Sequence, residues 1–180
     1  TSYDGNEVDT CTGNAYTTGD RVVTRFYEGA ATPKLTTAET RQYDAYHNVV
    51  TYIDEGDTAY SNDGVRVEFT YYTGQPYNLI GLRQDYKVYP TGSSTPQRQA
   101  YFQYNTQGKL TKQILGSGPN APEYDFVYEP TYGNMIQARQ PENLNHLRMT
   151  YDYTYDSVVN TYPVSITNSL GETMTTTYDY

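Results

Sequence analysis

Apolar and polar positions alternate along this chain with a period of two. From Leu147 to Tyr155 every second residue (Leu147, Met149, Tyr151, Tyr153, Tyr155) is large and apolar or aromatic. That spacing places the five side chains on one face of an extended strand. A polar break at residues 157–161 follows, then Pro163-Val164-Ser165-Ile166-Thr167. A turn signal (Asn168, Ser169, Gly171) leads into a Thr- and Tyr-rich strand that ends on Tyr178-Asp179. The same alternation runs through Val65, Val67, Phe69 and Tyr71, and through Ile80, Leu82, Tyr86 and Val88. Strands are predicted at about 21–27, 39–43, 49–54, 65–71, 79–89, 97–104, 124–128 and 147–155. Polar loops are predicted at 28–33, 55–64, 90–94, 116–122 and 141–146, rich in Gly, Pro, Asn and Asp. No stretch of useful length carries a helical 3.6-residue pattern, and nothing marks a linker. The expectation is an all-β fold of antiparallel β-hairpin repeats in one continuous region spanning 1–180.

A recurring punctuation divides that region. Tyr43-Asp44 with Asn48, Tyr104-Asn105 with Gly108, and Tyr128-Glu129 with Gly133-Asn134 each end a strand and open a turn. Tyr155-Asp156 and Tyr178-Asp179 carry the same pair, and Gly171 sits in the last turn signal. An Asp or Asn there can accept backbone N–H groups of the following turn. Glycine at the fifth position supplies left-handed backbone. Tyrosine rings can stack across neighbouring hairpins. Residues 1–40 read as an irregular lead-in, 41–180 as repeats, and about 55–103 as a hairpin insertion with less of the pattern. The later units recur at roughly 20 to 25 residues, right for one hairpin per repeat.

Composition alters one inference. A mean hydropathy of −0.80 with 36% hydrophobic residues would suggest disorder, but 23 tyrosines against 4 Phe and no Trp give burial area with a wet hydroxyl edge. Tyr and Thr also favour half-buried pleated surfaces. The net charge of −9 argues against nucleic acid, which needs phosphate-neutralising Lys and Arg, and against anionic membrane surfaces. Cys11 is the single cysteine, so no disulfide forms within the chain. No apolar run approaches the length of a membrane span. Beginning without Met and closing on Tyr178-Asp179-Tyr180, the chain reads as a piece of something longer, with Tyr178-Asp179 opening a further repeat.

Candidate chemistry is sparse. His47 and His146, the only histidines, fall in predicted turns without Cys partners or triad spacing. The acidic stretch Asp54-Glu55-Gly56-Asp57 with Asn62-Asp63-Gly64 could offer oxygens to calcium, but lacks the alternating ligand spacing of an EF-hand. No nucleophile elbow, phosphate-binding loop, zinc-protease motif or dinucleotide fingerprint occurs. No catalytic residue, metal ligand or cofactor is expected.

Over about residues 40 to 180 these units resemble the RHS/YD-repeat proteins, including bacterial RHS proteins and the B and C components of Tc insecticidal toxins. The resemblance rests on Tyr43-Asp44, Tyr104-Asn105 and Tyr128-Glu129 with their turns, and on Pro163 to Gly171 leading into Thr175-Thr176-Thr177-Tyr178-Asp179. It implies a curved strip of hairpins forming part of a shell, secreted or at the cell surface, that encloses or presents a toxin or other polypeptide. The implied partners are the remainder of a longer chain, an enclosed polypeptide and toxin-complex subunits. His47 stands where the family usually has glycine, and Pro130 lengthens the third unit. The family's C-terminal signature and self-cleaving aspartates are absent. A binding module that uses a Tyr-rich face for glycan or protein is the alternative, and a polysaccharide-acting enzyme comes last.

Overall fold

The computed structural model describes residues 19–73 and 80–179. The predicted lead-in before residue 19, with Cys11, and Leu79 at the start of a predicted strand lie outside the described residues. Twelve antiparallel strands form one sheet whose order follows the chain, with β1 and β12 at its edges. They are β1 (Gly19–Phe26), β2 (Leu35–Tyr43), β3 (Val49–Asp57), β4 (Val65–Tyr71), β5 (Arg83–Pro90) and β6 (Arg98–Tyr104). β7 (Leu110–Leu115), β8 (Glu123–Tyr128), β9 (Met135–Glu142), β10 (Arg148–Tyr155), β11 (Pro163–Asn168) and β12 (Thr173–Thr175) complete the series. No helix occurs among the described residues. The fold is therefore all-β and antiparallel. The chain divides within β6 into two compact units, one ending at Ala100 and one beginning at Tyr101.

Within the second unit the cross-strand register sorts the side chains by face. Phe126 lies opposite Ala138, and Ala138 opposite Tyr151. Tyr153 lies opposite Ile166, and Ile166 opposite Met174. Residues paired this way point to the same side, so this face is aromatic and aliphatic. The other face carries Lys112 opposite Asp125, Asp125 opposite Arg139, and Asp152 opposite Thr167. Its polar groups bond laterally: Gln137 Nε2 donates to Asp152 Oδ1 at 2.7 Å, and the Thr167 and Thr173 hydroxyls lie 2.9 Å apart. Lys112 reaches Glu123 at 2.6 Å and Asp125 at 3.4 Å, and Arg148 also pairs with Asp125.

In the first unit Val65, Val67, Phe69 and Tyr71 occupy alternate positions of β4, with Val67 opposite Val88 and Phe69 opposite Tyr86. Arginines lie over several rings here. Arg83 sits 4.4 Å from the centre of Phe69, and Arg66 sits 4.5 Å from that of Tyr89. Such contacts contribute about 0.5–1 kcal/mol at exposed sites.

Burial is thin throughout. The buried apolar residues are Val23, Ala38, Tyr89, Ala100 and Ala138, and no large side chain among the described residues is fully buried. A sheet residue covered only by its neighbours on the same face stays half exposed, and tyrosine tolerates that position well. Removing about 100 Å² of ring from water contributes about 2.5 kcal/mol while the hydroxyl keeps a partner.

Several predicted boundaries are corrected. Residues 55–57 belong to β3 and not to a loop, because Thr37 pairs with Asp57 and Arg21 binds Glu55 through two nitrogens at 3.0 and 3.1 Å. The strand predicted from Leu79 begins at Arg83, behind a turn at Ile80-Gly81. Pro141 and Glu142 extend β9, where Glu142 pairs with Arg148, and the turn starts at Asn143. The final strand stops at Thr175, short of Tyr178.

Candidate functional site

The recurring feature of this molecule is a turn built on one acceptor side chain. Asp44 Oδ1 accepts the backbone N–H groups of Tyr46 and Asn48 at 2.8 and 2.9 Å, and Oδ2 accepts the Asn48 side-chain amide at 3.0 Å. Asn105 Oδ1 accepts the N–H groups of Gln107 and Lys109 at 3.0 and 2.9 Å. Glu129, with one more methylene, spans a longer turn and takes the N–H groups of Thr131, Tyr132 and Asn134. Asp156 is buried and gathers five: Val158, Val159 and Asn160 on Oδ2, Thr161 and Tyr162 on Oδ1. Each turn is closed by a backbone bond from its first N–H to its last carbonyl, as from Asp44 to Asn48 at 3.0 Å and from Asn105 to Lys109 at 2.9 Å. A left-handed residue reverses the chain inside each: His47 (φ 65), Gly108 (φ 77), Gly133 (φ 75) and Asn160 (φ 55).

The tyrosine preceding such a turn has its own task. Tyr128 donates its hydroxyl to the Leu110 carbonyl, and Tyr155 to the Met135 carbonyl, both at 2.9 Å. Tyr178 does the same to the Pro163 carbonyl at 3.1 Å. Each acceptor is the first residue of the strand that opened the same hairpin. The hydroxyl therefore latches the hairpin's last strand to its entrance. Tyr71 makes an identical bond to Val49 at 2.9 Å, so the region expected to be an insertion contains the same device. Burial pushes the Tyr128 and Tyr155 hydroxyls above the ordinary tyrosine range, and neighbouring tyrosines add to the shift.

Successive turns in the second unit also touch. Lys109 Nζ donates to the Gly133 carbonyl and lies 5.5 Å from the centre of the Tyr128 ring. The Asn134 side-chain amide donates to the Asn160 carbonyl. A methyl group on Gly133 would meet only the flexible end of the Lys109 side chain, so it is the positive φ of 75 that calls for glycine there.

The sequence pattern marks Asn168 and Gly171 as a turn signal, but it leaves two acceptors, Asn143 and Asn168, out of the repeat. Asn143 Oδ1 accepts from Asn145 and Leu147, with His146 (φ 58) as the left-handed residue. Asn168 Oδ1 accepts from Leu170 and Glu172 at 3.0 Å each, with Gly171 (φ 83) in the reversal position. Neither follows a tyrosine, since Glu142 and Thr167 precede them. The usable signal was an Asp or Asn three residues before a left-handed residue. Tyr43 and Tyr104 each precede a cradle, at Asp44 and Asn105, and Asp179 lies exposed after Tyr178. The Tyr178 ring stacks on that of Tyr162.

The electrostatics follow from the cradles. Desolvation raises the Asp44 carboxyl, but hydrogen bonds from Asn48 and Tyr46, with the His47 charge, hold it below its usual value. Glu129 is likewise depressed, its backbone donors at 131–134 outweighing desolvation. Asp125 is depressed by Arg148 and Lys112 against its own desolvation, and Lys112 is raised, first by its bond to Glu123.

The acidic residues once considered for calcium are engaged in turns. Asp54 accepts the Gly56 N–H, Asp63 the Asp57 N–H and Asp57 the Ala59 N–H, at 2.9–3.0 Å. Among the described residues no three His, Cys, Asp or Glu side chains gather as a metal site. His146 Nδ1 lies 3.1 Å from Glu142 on an exposed turn. A shallow groove of about 280 Å³ is lined by Tyr151, Ile166, Asn168, Glu172, Thr173 and Met174. Neither a scan against protein-family models nor a search of curated proteins returned a match to this chain.

Proposed function

We propose that this chain is a structural element without catalytic activity: a stretch of RHS/YD-repeat wall, secreted or at the cell surface. In this reading the wall encloses or presents a toxin or other polypeptide belonging to its own longer chain or complex. The observation that supports it is the tyrosine latch at one position in successive hairpins, from Tyr128 to Leu110, Tyr155 to Met135 and Tyr178 to Pro163. A unit that completes its own entrance and touches the next turn can be added to indefinitely, as repeat architectures are. The half-buried aromatic and aliphatic face of the second unit would line such a wall.

Limited proteolysis of the complete gene product tests this. A segment should resist protease while the wall is folded and become sensitive when mild denaturant opens it. Digestion of every other segment at the same rate before and after opening would contradict enclosure.

The groove at Tyr151 and Ile166 favours a second reading, a glycan- or protein-binding module. Glycan-array binding that Tyr151→Ala removes, with an unchanged circular dichroism spectrum, would establish that reading instead.

A further inference from the structure

Tyr162 and Tyr178 lie ring on ring, with centroids 4.9 Å apart and planes inclined by 29°. Both remain accessible, at 46% and 37% exposure. Tyr162 closes the Asp156 turn, where its N–H donates to Asp156 Oδ1 at 2.9 Å. Tyr178 follows the edge strand β12 and is tethered by its hydroxyl to the Pro163 carbonyl. The pair thus brings together a turn fixed by five hydrogen bonds and the segment beyond a strand of only three residues. Two accessible phenols already in contact have the proximity that radical coupling requires, because the second radical is met before either is quenched.

We propose that Tyr162 and Tyr178 form a site of oxidative dityrosine coupling that covalently closes the β11–β12 hairpin. The co-reactant is a one-electron oxidant of the haem peroxidase class consuming hydrogen peroxide. Each phenol loses one electron and its hydroxyl proton. The two radicals join through ring carbons ortho to oxygen, forming one C–C bond. The hydrogen on each joined carbon then moves to oxygen and restores the phenol. The protein loses two electrons and two protons in all, which reduce one peroxide to two waters.

Exposure alone would select other residues. Tyr46, Tyr60 and Tyr132 are more exposed, at 61%, 65% and 63%, yet they sit on turn tips without a ring partner among the described residues. Tyr128 and Tyr155 are part-buried. Pairing and accessibility coincide at Tyr162 and Tyr178.

The experiment treats the purified chain, dilute enough to be monomeric, with horseradish peroxidase and limiting hydrogen peroxide, then maps cross-linked peptides by mass spectrometry. The expected main product is an intramolecular Tyr162–Tyr178 link, several-fold above any other, and absent in Tyr162→Phe and Tyr178→Phe. Tyr162→Phe retains the Tyr178 latch, so its loss of the link cannot be ascribed to a released terminus. Tyr132→Phe should leave the yield unchanged. Links spread over Tyr46, Tyr60 and Tyr132 in order of exposure, or formed only between chains, would overturn the proposal. The wild-type map decides this even if a variant folds poorly.

Discussion

The turns at 105–109 and 156–162 perform the same reversal with different lengths of chain. In the shorter, one oxygen of Asn105 holds two N–H groups, and Gly108 takes the left-handed position. In the longer, both oxygens of Asp156 hold five, and Asn160 takes that position. Both close with a backbone bond of 2.9 Å from first N–H to last carbonyl. What they share is an acceptor at the first position and one residue able to adopt positive φ. Loop length is free to vary because an ionised carboxylate offers more acceptor sites than an amide oxygen. Extra chain in the turn thus calls for a stronger acceptor.

Asp156 is where the two turns should differ most. Asp156→Ala strands up to five backbone donors in a buried site, and unfolding in denaturant should show a loss of about 3–5 kcal/mol. Asn105→Ala strands two in a more exposed turn, for an expected loss of about 1–2 kcal/mol. Equal losses at both sites would show that acceptor capacity does not scale with the turn.

The latches come next. Tyr128→Phe and Tyr155→Phe each remove one hydroxyl bond, with an expected cost of about 1 kcal/mol. Their pH dependence has a definite sign. Because both hydroxyls titrate above the usual tyrosine value of 10.0, their contribution is complete below pH 10 and is lost as the pH rises through the folded-state value. Alkaline unfolding should therefore be steeper in the wild type than in the double Phe variant. Identical alkaline slopes would mean that the hydroxyls carry no such linkage. Asp125 behaves oppositely: its depressed value makes its contribution complete above pH 3.8 and lost on further acidification. The smallest effect is expected at His47. Its φ of 65 is costly for a side chain bearing Cβ, so His47→Gly should stabilise by up to about 1 kcal/mol in thermal unfolding.

Much of this arrangement is legible in the residues. The alternation at 65–71 matches β4 residue for residue, and the Tyr-Asp pairs mark turns whose acceptors do bind backbone N–H groups. Asn143, and the acceptor role of Asn168 within its turn signal, do not follow from the Tyr-Asp pair, whereas the acceptor and the left-handed residue three positions later suffice. Tyr71 escaped because Tyr72-Thr73, not an acidic residue, follows it, although its latch depends on the strand and not on the turn. Residues 55–57 read as loop from their acidic, Gly-containing composition. Cross-strand pairing at Asp57 and the Arg21–Glu55 ion pair overrode that local preference. Those partners lie far along the chain, where periodicity carries no information.

A hairpin ending in a latched tyrosine is the unit of this molecule. Removing residues 129–155 joins Tyr128 directly to Asp156 and excises one such unit in phase. The shortened chain should keep its β circular dichroism and unfold cooperatively in urea, with an m-value reduced in proportion to its lost surface. Removing residues 129–142, one turn and the single strand β9, deletes half a unit, takes away the Met135 carbonyl that Tyr155 holds, and should abolish that cooperative transition. If both excisions behave alike, whether folded or unfolded, the Tyr-Asp hairpin is not the unit.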